Sequence, residues 1–132
     1  MKNAEFTKDD IKDKSNLAEQ IDLESNRLFK STYTNKGRSL EEIKECVVIG
    51  KTLEVWLCEN YPFTLAEDKW HDLIDENGDY IEVKAYNVYD SNAPFVQKSL
   101  HSIRNGNWNK SKWFILFQYK NGVYKFLEKI KI

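Results

Sequence analysis

A chain of 132 residues with 41% hydrophobic and 31% charged side chains is long enough to bury one core and too apolar to remain disordered. A net charge of −1 gives no global electrostatic case for nucleic acid, and no run approaches the roughly 20 apolar residues of a membrane helix. The N-terminus, MKNAEFTKDDIKDK, has no apolar signal core, so a cytoplasmic protein with no membrane partner is expected.

Residues 8 to about 30 read as a polar helix whose thin stripe of Leu17, Ile21 and Leu28 needs a cover. The core or the same helix of a second protomer would serve. STYTNKGR, residues 31–38, reads as a loop. Ser39 and Glu42 match a capping box, which predicts a helix running to about Asn60 and stopped by Pro62. Its apolar face is Ile43, Cys46, Gly50, Leu53 and Leu57, widened by Val47 and Trp56, with Glu54 beside it. Cys46 and Cys58 then stand about 18 Å apart along that helix, too far for a disulfide. With His71 and His101 as the two histidines and no C-x-x-C, a structural zinc site is unsupported.

Short strands follow. HDLID (71–75), DYIEVKA (79–85), WFILFQY (113–119) and VYKFLE (123–128) have strand composition, and Asn77-Gly78 and Asn121-Gly122 are hairpin signals. Between the two hairpins, Val96, Leu100 and Ile103 have helical spacing, predicting a short crossover helix over 95–104, and NGNWNKSK reads as a surface loop. One domain is expected over 1–132, with 1–60 mainly helical and 65–132 forming the sheet core.

The strand period sends Tyr80, Glu82 and Lys84 to one face of DYIEVKA and Ile81, Val83 and Ala85 to the other. Asp72, on the preceding strand, can be brought beside them by the turn. Two carboxylates converging at a sheet edge with a lysine close by make a hard oxygen site suited to Mg²⁺, with Mn²⁺ as a substitute. Phosphodiester hydrolysis uses such a site, with Asp72 and Glu82 as ligands and Lys84 holding the attacking water or stabilising developing charge. The plainer reading of Glu82 and Lys84 is a solvent-facing pair worth little.

Asp72, the turn and Glu82-Val83-Lys84 resemble the active-site motif of the PD-(D/E)XK nuclease superfamily. The stretch from HDLIDENGDYIEVKAYNV through WFILFQYKNGVYKFLE is similar to the core of the PvuII-type restriction endonucleases. The resemblance covers roughly residues 65–128. It implies an α/β restriction-endonuclease-like core, a mixed central sheet with flanking helices, here preceded by an N-terminal helical segment. It also implies metal-dependent DNA cleavage, commonly by a homodimer. On that mapping Asp72, Glu82 and Lys84 are catalytic, and Asp72, Glu82 and the Val83 backbone carbonyl hold the metal. His71 replaces the proline of the motif, and YDSNAPF stands where PvuII-type enzymes have base-reading histidines.

Glu54 reads either as a further carboxylate aimed at the metal or as a solvated edge residue. Asp75 and Asp79 read as turn formers, and His71 as a hydrogen-bonded strand residue or a proton carrier. Lys98, Arg104, Lys110 and Lys112 belong to a basic C-terminal third and are candidates for gripping DNA phosphates, with Trp108 or Trp113 available for stacking. A junction resolvase is the near rival to a restriction endonuclease. A non-catalytic nucleic-acid-binding or regulatory domain, or an interaction domain without nucleic acid, are the remaining readings.

Overall fold

In a computed structural model describing residues 1–132, six strands form one mixed sheet in the order β1-β6-β5-β4-β3-β2. The strands are β1 (Glu5–Thr7), β2 (Thr64–Leu65), β3 (Leu73–Ile74), β4 (Tyr80–Tyr86), β5 (Trp113–Lys120) and β6 (Val123–Lys131). The helices are α1 (Lys14–Phe29), α2 (Thr32–Asn35), α3 (Leu40–Asn60) and α4 (Pro94–Asn105). β4 and β5 run parallel, joined through α4, and every other pairing is antiparallel. No helix is long and apolar enough to cross a membrane.

α3 starts where its capping box places it. The Glu42 N–H donates to Ser39 Oγ and the Ser39 N–H to Glu42 Oε1, each at 3.2 Å. Beyond its midpoint the helix is buried on all sides, from Thr52 to Leu57, because it lies between the sheet and α1. At its far end Glu59 accepts the backbone N–H groups of Lys12 and Asp13, each at 2.8 Å, which ties the approach to α1 to the end of α3. Leu17 packs on the main core and Ser25 is fully buried, with Ile21 and Leu28 half-buried. The stripe on α1 therefore meets α3 of its own chain, and the ground for expecting a second protomer there is removed.

Strand alternation divides the core between two faces. Ile81 and Val83 of β4 and Ile115 and Phe117 of β5 pack towards α3, while Phe114 and Leu116 of β5 pack towards Val96, Leu100 and Ile103 of α4. Glu82 and Lys84 pair in register with Phe114 and Leu116, so they share the α4 face. The second hairpin closes on Asn121 and Gly122, both left-handed at φ 52° and 79°, the conformation a type I′ turn requires.

Four expectations are corrected. The polar stretch from residue 8 opens with a 3-10 turn, Lys8–Asp10, and the helix begins only at Lys14 with Asp13 as its cap. The segment 31–38 contains a single helical turn capped by Ser31. The sheet is not confined to 65–132, because β1 adds to β6 and places Phe6 between Trp56 and Tyr124, stacked at 4.0 and 4.5 Å. HDLID shortens to Leu73–Ile74, with Asp72 just outside it.

Candidate active site

Asp72 precedes the Leu73–Ile81 pair, which brings it level with Glu82 across the β3–β4 ladder. Its Oδ2 accepts the Val83 backbone N–H at 2.8 Å, fixing the carboxylate against the strand that carries the rest of the motif. On β4, Glu82 Oε1 lies 3.4 Å from Lys84 Nζ, and Glu82 Oε2 accepts from Asn109 Nδ2 at 2.9 Å. Glu54 reaches the same region from α3. It is buried, contrary to the solvated-edge reading, and its Oε1 pairs with Lys51 Nζ at 3.1 Å.

The electrostatics are those of crowded negative charge. Burial, followed by the charges of Glu54 and Glu82, pushes the Asp72 carboxyl well above the usual carboxylate range, against the pull of the Val83 N–H and Lys84. Burial also raises Glu54; the charge and hydrogen bond of Lys51 oppose this, and the charges of Glu24 and Glu82 add to it. At Lys84 burial disfavours the ammonium, but Glu82 first, then Tyr86 and Asp72, outweigh it, so the lysine holds its proton more tightly than in water.

Two clefts open on these residues. One, of about 420 Å³ between α1, α3 and the segment before β3, is lined by Lys51, Glu54 and Asp72 together with Gln20 and Arg27. The other, of about 310 Å³ between β4 and α4, is lined by Glu82, Lys84, Lys98, Ser99, Ser102 and Ile103. The carboxylates expected to converge are thus distributed, Asp72 with Glu54 on the first cleft and Glu82 with Lys84 on the second. No three His, Cys, Asp or Glu side chains are grouped closely enough to hold an ion by themselves. Mg²⁺ is commonly bound through one or two carboxylates with waters and substrate oxygens completing its shell, and the mutual repulsion of these carboxylates is what a divalent cation relieves. Asp72 and Glu82, level across the β3–β4 ladder, would supply the two carboxylates of such a shell.

That repulsion has a measurable consequence. A carboxyl whose pKa is raised by folding contributes stability that is complete below the pKa of the unfolded chain and is lost as the pH rises through the folded value. Asp72→Asn removes the charge and keeps an oxygen for the Val83 N–H. In chelator it is expected to stabilise the protein near neutral pH by roughly 0.5–2 kcal/mol and to flatten the decline between mildly acidic and mildly alkaline conditions. Urea midpoints at the two pH values check this; an unchanged or lowered midpoint near neutrality would show that the Asp72 charge is not a burden.

The remaining candidates separate. His71 Nε2 accepts the Lys110 backbone N–H at 2.9 Å, so the ring proton sits on Nδ1, which donates to Asp68 at 3.0 Å. The ring also stacks on Tyr80 at 3.7 Å. Both nitrogens are engaged, and His71 is a clasp between loops rather than a proton carrier. Asp75 Oδ1 accepts from the Asn77 and Asp79 N–H groups at 2.9 Å, confirming a turn former, while Asp79 pairs with Lys112 at 3.1 Å. Lys98 faces the second cleft beside Lys84; Arg104 and Lys110 are exposed on the α4 end and the following loop. Trp113 is half-buried on β5 beneath Lys129 Nζ, 4.5 Å from the ring, whereas Trp108 is exposed and stacks on Trp70 at 5.7 Å.

Sequence reasoning missed Lys51 and Asn109. Lys51 had a signal, its spacing of three from Glu54 on one helix; Asn109 lies 27 residues from Glu82 and had none. No family model, no curated protein and no solved structure matches the chain.

Proposed function

We propose that this protein is a metal-dependent DNA endonuclease of the restriction-endonuclease-like kind. The observation that carries the reading is the grip of Asp72 on the Val83 N–H, which binds one carboxylate of the motif to the strand bearing Glu82 and Lys84. A hairpin built only for stability has no need of two facing carboxylates and a charged lysine, with a third carboxylate, Glu54, brought up from α3, since burying such charge costs stability.

In this reading Asp72, Glu82 and the Val83 carbonyl would hold Mg²⁺ or Mn²⁺, with Glu54 as a further carboxylate at the first cleft. The ion supplies neutralisation of the phosphate and a more acidic water. Asp72 is oriented by its backbone donor and Glu82 by Asn109 and Lys84, so both carboxylates are positioned before substrate arrives. Lys84 holds the attacking water or donates to a phosphate oxygen as negative charge grows during attack, and its raised pKa keeps it cationic for that role. Lys98, with Ser99 and Ser102 beside it, provides donors for the phosphate backbone along the second cleft.

The test is cleavage of supercoiled plasmid, single strands and a four-way junction with Mg²⁺, with Mn²⁺ and with chelator. Cleavage in either metal and none in chelator is expected. A nicked plasmid marks one chain cutting one strand, and linear product marks two sites acting together, as a homodimer would. Failure to cut every substrate in both metals would overturn the nuclease reading and leave a nucleic-acid-binding or regulatory domain.

A further inference from the structure

We propose that Trp70 and Trp108 form a base-stacking platform at the lip of the site, so that the substrate carries unpaired bases next to the bond that is cut. This rests on the nuclease reading and names the class of nucleic acid it takes. Trp70 immediately precedes the His71–Asp72 pair, and Trp108 lies on the loop between α4 and β5. Their rings stand 5.7 Å apart and 18° from parallel, with Trp70 47% and Trp108 67% exposed. Two large indoles left in water on separate loops do nothing for the core, whose aromatic column of Phe6, Trp56, Phe117 and Tyr124 lies elsewhere.

The pair is joined to the carboxylates. Asn109 Nδ2 reaches the Trp70 carbonyl at 3.3 Å and Glu82 Oε2 at 2.9 Å, so one side chain ties both tryptophan loops to the catalytic strand. The His71–Lys110 bond is a second tie between the same loops. Asp68 accepts the Trp70 N–H at 2.7 Å and sets the local turn. A base resting on these rings is therefore held in a constant relation to Glu82.

Charge around the pair suits a nucleic acid strand. Lys69 Nζ lies 4.7 Å from the Trp70 ring, and Lys110 is exposed two residues beyond Trp108. In a duplex each base is already covered by its neighbours and offers only its edges, so ring faces of this kind have nothing to stack on. A single strand, a flap or an opened junction offers bare base faces, each stacking contact being sequence-tolerant.

The experiment measures anisotropy of a labelled single-stranded DNA and of its blunt duplex in chelator, so that nothing is cut. Wild type is compared with Trp70→Ala, Trp108→Ala and Trp108→Phe, with far-ultraviolet circular dichroism confirming that each variant is folded. Each alanine variant is expected to weaken single-strand binding roughly 5- to 150-fold and to leave duplex binding nearly unchanged, with phenylalanine restoring much of the loss. No loss, an equal loss on both DNAs, a preference for the duplex, or no binding to either would overturn the platform. Cleavage by wild type with Mg²⁺ is scored separately. Metal-dependent cutting with tryptophan-independent binding sinks the platform alone. Tryptophan-dependent single-strand binding without cutting supports the platform and sinks the nuclease.

Discussion

On the proposed endonuclease reading, Lys84→Ala is expected to slow metal-dependent cleavage about 10²- to 10³-fold, the loss seen when one donor to developing negative charge is removed, roughly 2.7–4 kcal/mol. The side chain sits on the α4 face of β4 beside Glu82 and opens into the cleft that Lys98 also lines. Its removal leaves Phe114 and Leu116, its neighbours on that face, in the core formed with α4. Lys84 is partly exposed but Glu82 is buried and keeps Asn109 as a partner, so losing the pair should cost about 1–3 kcal/mol, a lowered urea midpoint in a protein that stays folded while the single-turnover rate collapses. Lys84→Arg keeps the charge but replaces a compact ammonium by a broad planar group and should recover only part of the rate. Wild-type speed in Lys84→Ala would remove the lysine from the mechanism.

Phe117→Ala is expected to cost about 3–5 kcal/mol of stability, a large share of the roughly 5–15 kcal/mol that holds a domain together. Phe117 is fully buried on β5, with its ring edge-on to Phe6 at 6.0 Å, Trp56 at 6.3 Å and Phe126 at 5.6 Å. Those partners come from β1, α3 and β6, so truncation opens a cavity where three segments distant in sequence meet. Such a cavity cannot be closed by one side chain shifting. The effect also bears on the site, because β5 is the parallel neighbour that holds β4 in place. Denaturant unfolding with an unchanged m-value and a lowered midpoint is the expected readout; a loss below about 1 kcal/mol would mean that the column tolerates the gap.

Much of the architecture was legible because its causes are local. The capping box at Ser39 and Glu42 spans four residues, the Asn121-Gly122 turn spans two, and the alternation in Tyr80–Tyr86 is a property of one extended segment. Each is decided by neighbours in sequence, so composition and spacing suffice. β1 was not legible. Glu5–Thr7 is three residues among charges, and it becomes a strand only because β6 offers an edge and Trp56 and Tyr124 offer faces for Phe6. The stripe on α1 was legible as apolar, but its partner was not, since α3 and a second protomer present the same chemistry to it.

For the site, the sequence by itself determined that Glu82 and Lys84 share a face of one strand, that a turn returns the chain from Asp72 towards them, and that Glu54 stands at the margin of an apolar helix face. Only the tertiary structure decided the rest. It buried Glu54 and paired it with Lys51, divided the carboxylates between two clefts, turned His71 into a clasp, and used Asn109 to tie Trp70 to Glu82. The physical reason is range. Strand and helix periods act over a few residues, whereas desolvation, charge repulsion and the meeting of loops 39 residues apart exist only once the chain has folded around them.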